Sequence, residues 1–471
     1  MCLTRQFYGI AMFKRILIAN RGEIAARILR ACRELDIDTV AVYSSADEDS
    51  LHVMFAGQAV CIGPARAADS YLNQDAILTV AKATGCDAVH PGYGFLSENA
   101  DFADACRDAG LIFIGPSGDV IRKMGNKAAA RALMQSVGVP VVPGSDGLVH
   151  SAEEAQRIAD KIGYPVLIKA AAGGGGRGMR RVYEASQLKP LFQEAKAESA
   201  ACFGSDEMYL EKLILQPRHI EFQIMADRHG NVVQLGERDC SIQRKNQKLM
   251  EESPSHALSP ELREKMGAAA VLAAKAAGYE NAGTVEFVLA PDQQFYFIEM
   301  NTRIQVAPPV TEMVTAMDLV REQIRVAAGL RLSKRQEEIR QTGHAIECRI
   351  NAEDPMRNFA PCPGKADFLY FPGGPGVRID TCMYNGYEIS PYYDSMVAKI
   401  IVHAPTRLEA IRRMRRALEE LLIDGLRTNA ELMHQIMFHP AFVRGNYHTG
   451  FLDEHLETLL QWIRRAEEDE A

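Results

Sequence analysis

The sequence predicts a mixed α/β and α+β protein of about three domains, the number its 471 residues suggest, and three observations shape that expectation. Over roughly the first 120 residues, short apolar runs alternate with stretches of helical periodicity, the pattern of a parallel sheet wound by helices. A run of four glycines then lies between two further strand-like segments. Beyond it, strands alternate with Ala-rich or charged helical stretches.

Taken in order, residues 16–19 read as an apolar strand. Asn20-Arg21-Gly22-Glu23 follows, then a helix with Ile24, Ile28, Cys32 and Leu35 at helical spacing. Strands are expected at 39–43, 59–62, 87–90 and 111–114, a Rossmann-like order. No G-x-G-x-x-G accompanies it, so a dinucleotide is not indicated. A link near 139–144 leads to a small lid-sized unit with strands at 165–170 and 208–212 around the glycine tract. The rest is expected to hold strands at 219–226, 232–237 and 284–289 and helices at 260–278 and 407–422.

Composition narrows the function classes. An apolar content of 47% with 24% charge is that of a globular protein. The net charge of −8 leaves no chain-wide basic field, which argues against nucleic acid as a partner. No uncharged apolar run approaches the roughly 20 residues of a membrane helix. Ten dispersed cysteines without a C-x-x-C pair point to reduced thiols in a cytoplasmic setting rather than a zinc knuckle or a disulfide framework.

The segment richest in chemistry is Phe297-Ile298-Glu299-Met300-Asn301-Thr302-Arg303-Ile304-Gln305-Val306. As one strand it would point Glu299, Asn301, Arg303 and Gln305 to the same face. Carboxylate and amide oxygens suit Mg²⁺, and an Arg can hold an oxyanion in a bidentate fork. Glu286 lies on a neighbouring strand that a turn at 290–293 could bring alongside; the alternative for the two acids is a structural salt bridge with an Arg. Lys169 closes a strand before Ala170-Ala171-Ala172-Gly173-Gly174-Gly175-Gly176-Arg177-Gly178. Glycines let backbone N–H groups approach phosphate oxygens, although a run of this kind alone could equally be a surface turn. Cys240 could be imagined as a nucleophile, but a small core residue is the simpler reading.

In this order the motifs resemble those of the biotin carboxylase family. The matching contexts are Met124-Gly125-Asn126-Lys127, Tyr209-Leu210-Glu211-Lys212-Leu213, Pro217-Arg218-His219-Ile220-Glu221, the stretch from Glu237 to Lys248, and the stretch from Gly343 to Pro355. The resemblance runs from Met12 to about Leu456, leaving residues 1–11 as an extension or a different start. It implies an ATP-grasp fold, with a Rossmann-like N-terminal domain at 12–125, a mobile lid at 141–213, a catalytic core at 214–345 and a C-terminal domain at 346–460. It implies ATP- and bicarbonate-dependent carboxylation of biotin through carboxyphosphate, as in acetyl-CoA carboxylase. The implied partners are a biotin carboxyl carrier protein, carboxyltransferase subunits and a second copy of the chain. The absence of a Met-Lys-Met segment fits a stand-alone subunit.

By the same resemblance, Lys127 and Lys169 would hold ATP phosphates and Gly174 and Gly175 would close over them. Glu211, Leu213 and His219 would border the adenosine, with Gln243 near the nucleotide. Glu286 and Glu299 would ligate Mg²⁺ or Mn²⁺, with Asn301 alongside. Lys248, Arg303, Gln305 and the Val306 backbone would face bicarbonate, and Arg349 the developing enolate of biotin or phosphate. The family pattern continues Gln-Val-Glu-His-Pro, where this chain has Gln305-Val306-Ala307-Pro308-Pro309. The absent Glu is the family's base for bicarbonate, so the resemblance implies a slow or silent enzyme unless another acid, such as Glu312, takes over. A silent ATP-binding partner protein, or a different ATP-grasp carboxylate ligase, are the alternatives; Lys248, Arg303 and Arg349 argue against the second.

Overall fold

The computed structural model describes residues 12–171 and 178–470. Its first sheet is parallel, with β1 (Arg15–Ile18), β2 (Asp38–Ser44), β3 (Gln58–Gly63), β4 (Ala88–His90) and β5 (Ile112–Phe113) in the order β3-β2-β1-β4-β5. The chain winds outward in both directions from β1. A crevice therefore opens at the carboxyl ends of β1 and β4, where such sheets bind ligands. Helix α1 (Gly22–Glu34) leaves that crevice and buries Ile24, Ile28 and Cys32, the predicted apolar stripe.

A small antiparallel sheet, β6 (Val166–Ala170), β7 (Arg180–Val182) and β8 (Met208–Lys212), is ordered β7-β6-β8 and carries its own core of Val166, Ile168, Val182, Met208 and Leu210. Ahead of it in sequence, helix α2 (Lys127–Ser136) starts at Asn126, whose side chain accepts from the Ala129 N–H.

The largest sheet has eight strands. These are β9 (Arg218–Ala226), β10 (Val232–Arg244), β11 (Gln247–Ser253), β12 (Asn281–Leu289), β13 (Phe295–Asn301), β14 (His344–Asn351), β15 (Val377–Thr381) and β16 (Met396–Ala404), ordered β13-β12-β9-β10-β11-β14-β16-β15. Helix α3 (Pro260–Ala277) ends at Gly278 in the left-handed conformation, which a glycine adopts without strain. Met225, Val233, Leu235 and Ile304 share a core with Ile24 and Ile28, so the large sheet and the first one are packed together through α1.

Four expectations change, the first being that the strand expected at 284–289 begins at Asn281. The strand expected to end at residue 237 runs on to Arg244, because Glu237, Arg238 and Asp239 are paired inside the protein rather than facing water. The strand read through Gln305 and into Ala307-Pro308 ends at Asn301, and after a loop helix α4 (Pro308–Thr315) begins. Pro308 and Pro309 occupy its first two positions. Their missing N–H groups cost nothing there, since the first turn has no intrahelical acceptors, and their fixed φ suits a helix start. The helix expected to reach residue 422 stops earlier, as α5 (Arg407–Glu419), and Leu422 begins a short strand.

Candidate active site

The β12–β13 hairpin places Glu286 directly opposite Glu299, with Thr284 opposite Asn301, so the three candidate metal residues share one face. The side chains then converge. Asn301 Nδ2 donates to Glu286 Oε1 at 2.8 Å, and Gln305 Nε2 reaches the same oxygen at 3.3 Å. Lys248 Nζ lies 2.8 Å from Glu286 Oε1 and also pairs with Glu221, while His219 Nε2 lies 2.9 Å from Glu286 Oε2. Glu299 is half-buried and contacts Lys127 Nζ at 3.3 Å. Although Arg303 and Gln305 lie on the loop after β13 rather than on the strand, the turn still delivers Gln305 to Glu286. Arg303 donates to Asn301 Oδ1 at 3.2 Å and to Glu98 of the N-terminal sheet region at 3.0 Å.

The charges are set by their neighbours. Burial raises the cost of ionising Glu286, yet Lys248 and His219 beside it hold its carboxyl well below the usual range. Glu221 is likewise buried, and Lys248 and Arg238 lower it to about 2. Burial works against the charge on Lys248, but Glu221 and Glu286 keep the ammonium strongly favoured. Burial drives the Cys240 thiol well above its ordinary value, which rules it out as a ready nucleophile and leaves it a core residue.

Two carboxylates and the Asn301 amide oxygen on one face form a hard-donor set that fits Mg²⁺ or Mn²⁺. His219, Glu221 and Glu286 also bring ligand atoms within 4.8 Å of one another. Glu221 is paired with Arg238 and Lys248, and Glu286 with Lys248 and His219, so either acid would have to release a cation to take up a metal, whereas Glu299 contacts only Lys127 among the described ion pairs.

On the lid sheet, Lys169 and Glu211 pair across β6 and β8, and Arg131 of α2 approaches Glu211 at 3.1 Å. Leu213 follows β8, its backbone N–H bonded to Pro165 O at 3.0 Å. Gln243 sits opposite Lys248 across the β10–β11 hairpin. Gly174 and Gly175 lie outside the described residues. Arg349 on β14 pairs with Glu251.

Three residues at this site escaped the sequence reading. Arg238, fully buried, bonds Glu221, Gln223 at 2.8 Å, Thr311 of α4 at 2.9 Å and Thr284 at 3.2 Å, tying helix to sheet. Glu221 anchors both Arg238 and Lys248. Lys399 of β16 donates to Val306 O at 2.9 Å and pairs with Glu23 at 2.8 Å, fixing the backbone just before Ala307. The available signal was a charged residue in the middle of an apolar strand, where burial demands a partner. Val306 also lines a cavity of about 400 Å³ at the β1/β4 crevice, with Arg21, Tyr93, Tyr387, Tyr393 and Asp394.

Ala307 precedes the first turn of α4 and is buried. Glu312, the alternative acid, is committed to other partners. Its oxygens accept from Arg27 at 3.1 Å, Arg378 at 2.7 Å and the Leu319 N–H at 2.8 Å, a structural tie between α1, α4 and β15.

Comparison with known proteins identifies the family. Residues 12–121 match the family described as biotin carboxylase, N-terminal domain. Residues 126–335 match carbamoyl-phosphate synthase L chain, ATP binding domain, and residues 347–454 match the biotin carboxylase C-terminal domain. The chain is 56% identical to biotin carboxylase 1 of Bacillus subtilis (strain 168) over 94% of its length and 99% of the relative's. It is 53% identical to the biotin carboxylase of Haemophilus influenzae over 94% and 99%. Among solved structures, the biotin carboxylase domain dimer of Hydrogenobacter thermophilus 2-oxoglutarate carboxylase, in complex with MgADP, ADP and bicarbonate, superposes with a TM-score of 0.91 at 51% identity, over 95% of this chain and 99% of that one. A Campylobacter jejuni biotin carboxylase complex gives 0.91 at 48%, over 94% and 99%. With matches of this identity along almost its whole length, and with the ATP-grasp architecture described above, this chain belongs to the biotin carboxylase family.

Proposed function

We propose that this chain carboxylates biotin with ATP and bicarbonate through carboxyphosphate, at a rate lowered by the loss of the acid at position 307. The observation that carries the reading is the convergence of Lys248, His219, Asn301 and Gln305 on Glu286, with Glu299 opposite. In this reading Lys127 and Lys169 hold the nucleotide phosphates, with Gly174 and Gly175 closing over them, and Glu211, Leu213, His219 and Gln243 border the nucleotide. Glu286, Glu299 and Asn301 hold Mg²⁺ or Mn²⁺, which when bound neutralises the charge on the phosphate oxygens. Lys248, Arg303, Gln305 and the Val306 backbone position bicarbonate for attack on the γ-phosphorus, and Arg349 balances negative charge on the biotin ureido oxygen. Positioning and electrostatics survive in this chain. Removal of a general base typically costs about 10² to 10⁴ in rate, or roughly 3–5 kcal/mol.

The carboxyl acceptor sits on a biotin carboxyl carrier protein, a carboxyltransferase takes the carboxyl group from it and regenerates biotin, and the chain works as a homodimer in the cytoplasm, a setting that its nine described free cysteines suit. Among the described residues, no helix is long and apolar enough to cross a membrane. One observation favours a second reading, a nucleotide-binding protein that does not turn over: Ala307 is buried and Glu312 is occupied by two arginines. ADP formation dependent on biotin and bicarbonate, measured beside the Ala307→Glu/Pro308→His double variant, decides between them. Slow, biotin-dependent turnover that the double variant accelerates supports carboxylation. Turnover in the double variant alone supports the silent protein.

A further inference from the structure

Beneath the first turn of α4 lies a pair of acids that the site described above does not use. Glu251 on β11 and Glu347 on β14 stand opposite each other, both fully buried. Like charges facing each other away from water are costly unless each is compensated. Arg349 compensates Glu251. Neither oxygen of Glu347 has a hydrogen-bond partner, and Arg349 Nε and Glu251 Oε2 beside it lack partners too.

The position of Glu347 follows from the strand period. Ala345, Glu347 and Arg349 share one face of β14. Ala345 packs against Val310 and Val314 of α4, and so does Ile401, which faces Glu347 across β16. Arg349 faces Lys399, the residue whose ammonium holds Val306 O. Glu347 is therefore bracketed by the start of α4 on one side and by the Lys399–Val306 contact on the other. The residues that open α4 there, Ala307, Pro308 and Pro309, offer no side-chain donor, and the two prolines offer no backbone N–H. A buried acid without a hydrogen-bond partner thus lies on the strand that packs against α4, the helix whose start replaces the family's Glu-His.

We propose that Glu347 is the proton acceptor this chain uses in place of an acid at position 307. The inference rests on the carboxylation reading above. In the step, the bicarbonate O–H proton passes to a Glu347 oxygen while the bicarbonate oxygen forms its bond to the γ-phosphorus. The bond from that phosphorus to the β–γ bridging oxygen breaks, and ADP leaves with the electron pair. Burial and the facing Glu251 push the Glu347 carboxyl well above its ordinary value, Asp380 adds to this, and Lys399 and Arg349 oppose it. Once ionised, such a carboxylate is a stronger base than an exposed one.

The test is the pH profile of biotin-dependent ADP formation by the full chain, by Glu347→Gln, by Glu347→Asp and by the Ala307→Glu/Pro308→His variant, with ADP affinity and melting temperature measured for each. The expected result is a rate that rises with pH through a midpoint above the ordinary carboxylate range. Glu347→Gln loses that limb and about 100-fold or more in rate with ADP affinity unchanged, Glu347→Asp keeps a displaced limb, and the Ala307→Glu/Pro308→His variant moves the limb toward the ordinary carboxylate range. Turnover by the chain that survives in Glu347→Gln overturns the proposal alone and leaves the carboxylation reading intact. A chain that is silent while the double variant is active overturns it as well, the outcome that also favours the silent nucleotide-binding protein. If neither chain nor double variant turns over, the site reading itself has failed, and the proposal with it.

Discussion

Lys248 and Glu286 form an ion pair of 2.8 Å inside the large sheet, and the same ammonium also pairs with Glu221. One cation thus compensates two buried carboxylates on different strands. It holds in place the acid on which Asn301, Gln305 and His219 converge.

Replacing Lys248 by Met should therefore damage both stability and chemistry. Removing one partner of a buried pair typically costs about 3–5 kcal/mol, because the remaining charge has no compensation. The expected outcome is a markedly lower melting temperature, together with loss of bicarbonate-dependent ADP formation even in the Ala307→Glu/Pro308→His background. Wild-type melting behaviour would show that Glu221 and Glu286 are compensated by other groups.

Glu312 separates a structural acid from a catalytic one. Glu312→Ala leaves Arg27 and Arg378 without their shared partner, so denaturant unfolding should show a loss on the order of 3 kcal/mol. Turnover per folded molecule should stay at the level of the unmodified chain. A selective fall in turnover with unchanged stability would make Glu312 the stand-in base.

Glu299→Gln bears on the metal site. It removes one of two facing carboxylates while leaving Glu286 and its partners in place. The concentration of Mg²⁺ or Mn²⁺ needed for half-maximal activity should rise by about tenfold or more, equivalent to at least about 1.4 kcal/mol, with nucleotide binding in the absence of metal little changed. An unaltered metal requirement would remove Glu299 from the ligand set.

Acid should weaken the fold in two stages. Burial holds His52 at about 4 and His90 at about 3, below their ordinary value, so the unfolded chain takes up protons first and stability falls as pH drops below about 6.5. Glu221 and Asp380 are depressed to about 2 despite burial, Glu221 by Lys248 and Arg238 and Asp380 by Lys399 and Arg378. Their contribution is complete above the ordinary carboxylate range and is lost as pH falls from about 4.5 toward 2. Glu347 acts in the opposite sense, since a raised carboxyl favours the folded state as protons are added. Melting temperature measured from pH 8 to 3 should decline in two steps. A flat profile between pH 7 and 5 in the Glu347→Gln variant, where that opposing group is absent, would show that the histidines are protonated in the fold.

Much of the molecule was legible in its residues. Short apolar runs placed β1, β6 and β8 to within a residue, and the Ile24, Ile28, Cys32 stripe of α1 needed only helical spacing. The pairing of Glu286 with Glu299 followed from two strands and a turn, because an antiparallel hairpin leaves little choice of face. Where the pattern failed, buried charge was the cause. Glu237, Arg238 and Asp239 look like a strand end in sequence and are instead the interior of β10, since each has a partner on another element. The segment after Asn301 failed for a different reason: a proline pair is compatible with ending a strand or starting a helix, and only the packing of Val310 and Val314 on β14 and β16 selects the helix.

What the sequence by itself determined was local: the strands, the helices, the glycine tract, the order of the motifs and the substitution at 307 and 308. These depend on side-chain periodicity and on residue types a few positions apart. What only the tertiary structure decided was which charges meet. Lys248 serves two acids, Glu312 is committed to two arginines, and Glu347 is left without a hydrogen-bond partner; the pairs involved lie between 27 and 285 positions apart in the chain. Coulombic and hydrogen-bonding partners in a buried sheet are set by strand order and register, which no local pattern encodes.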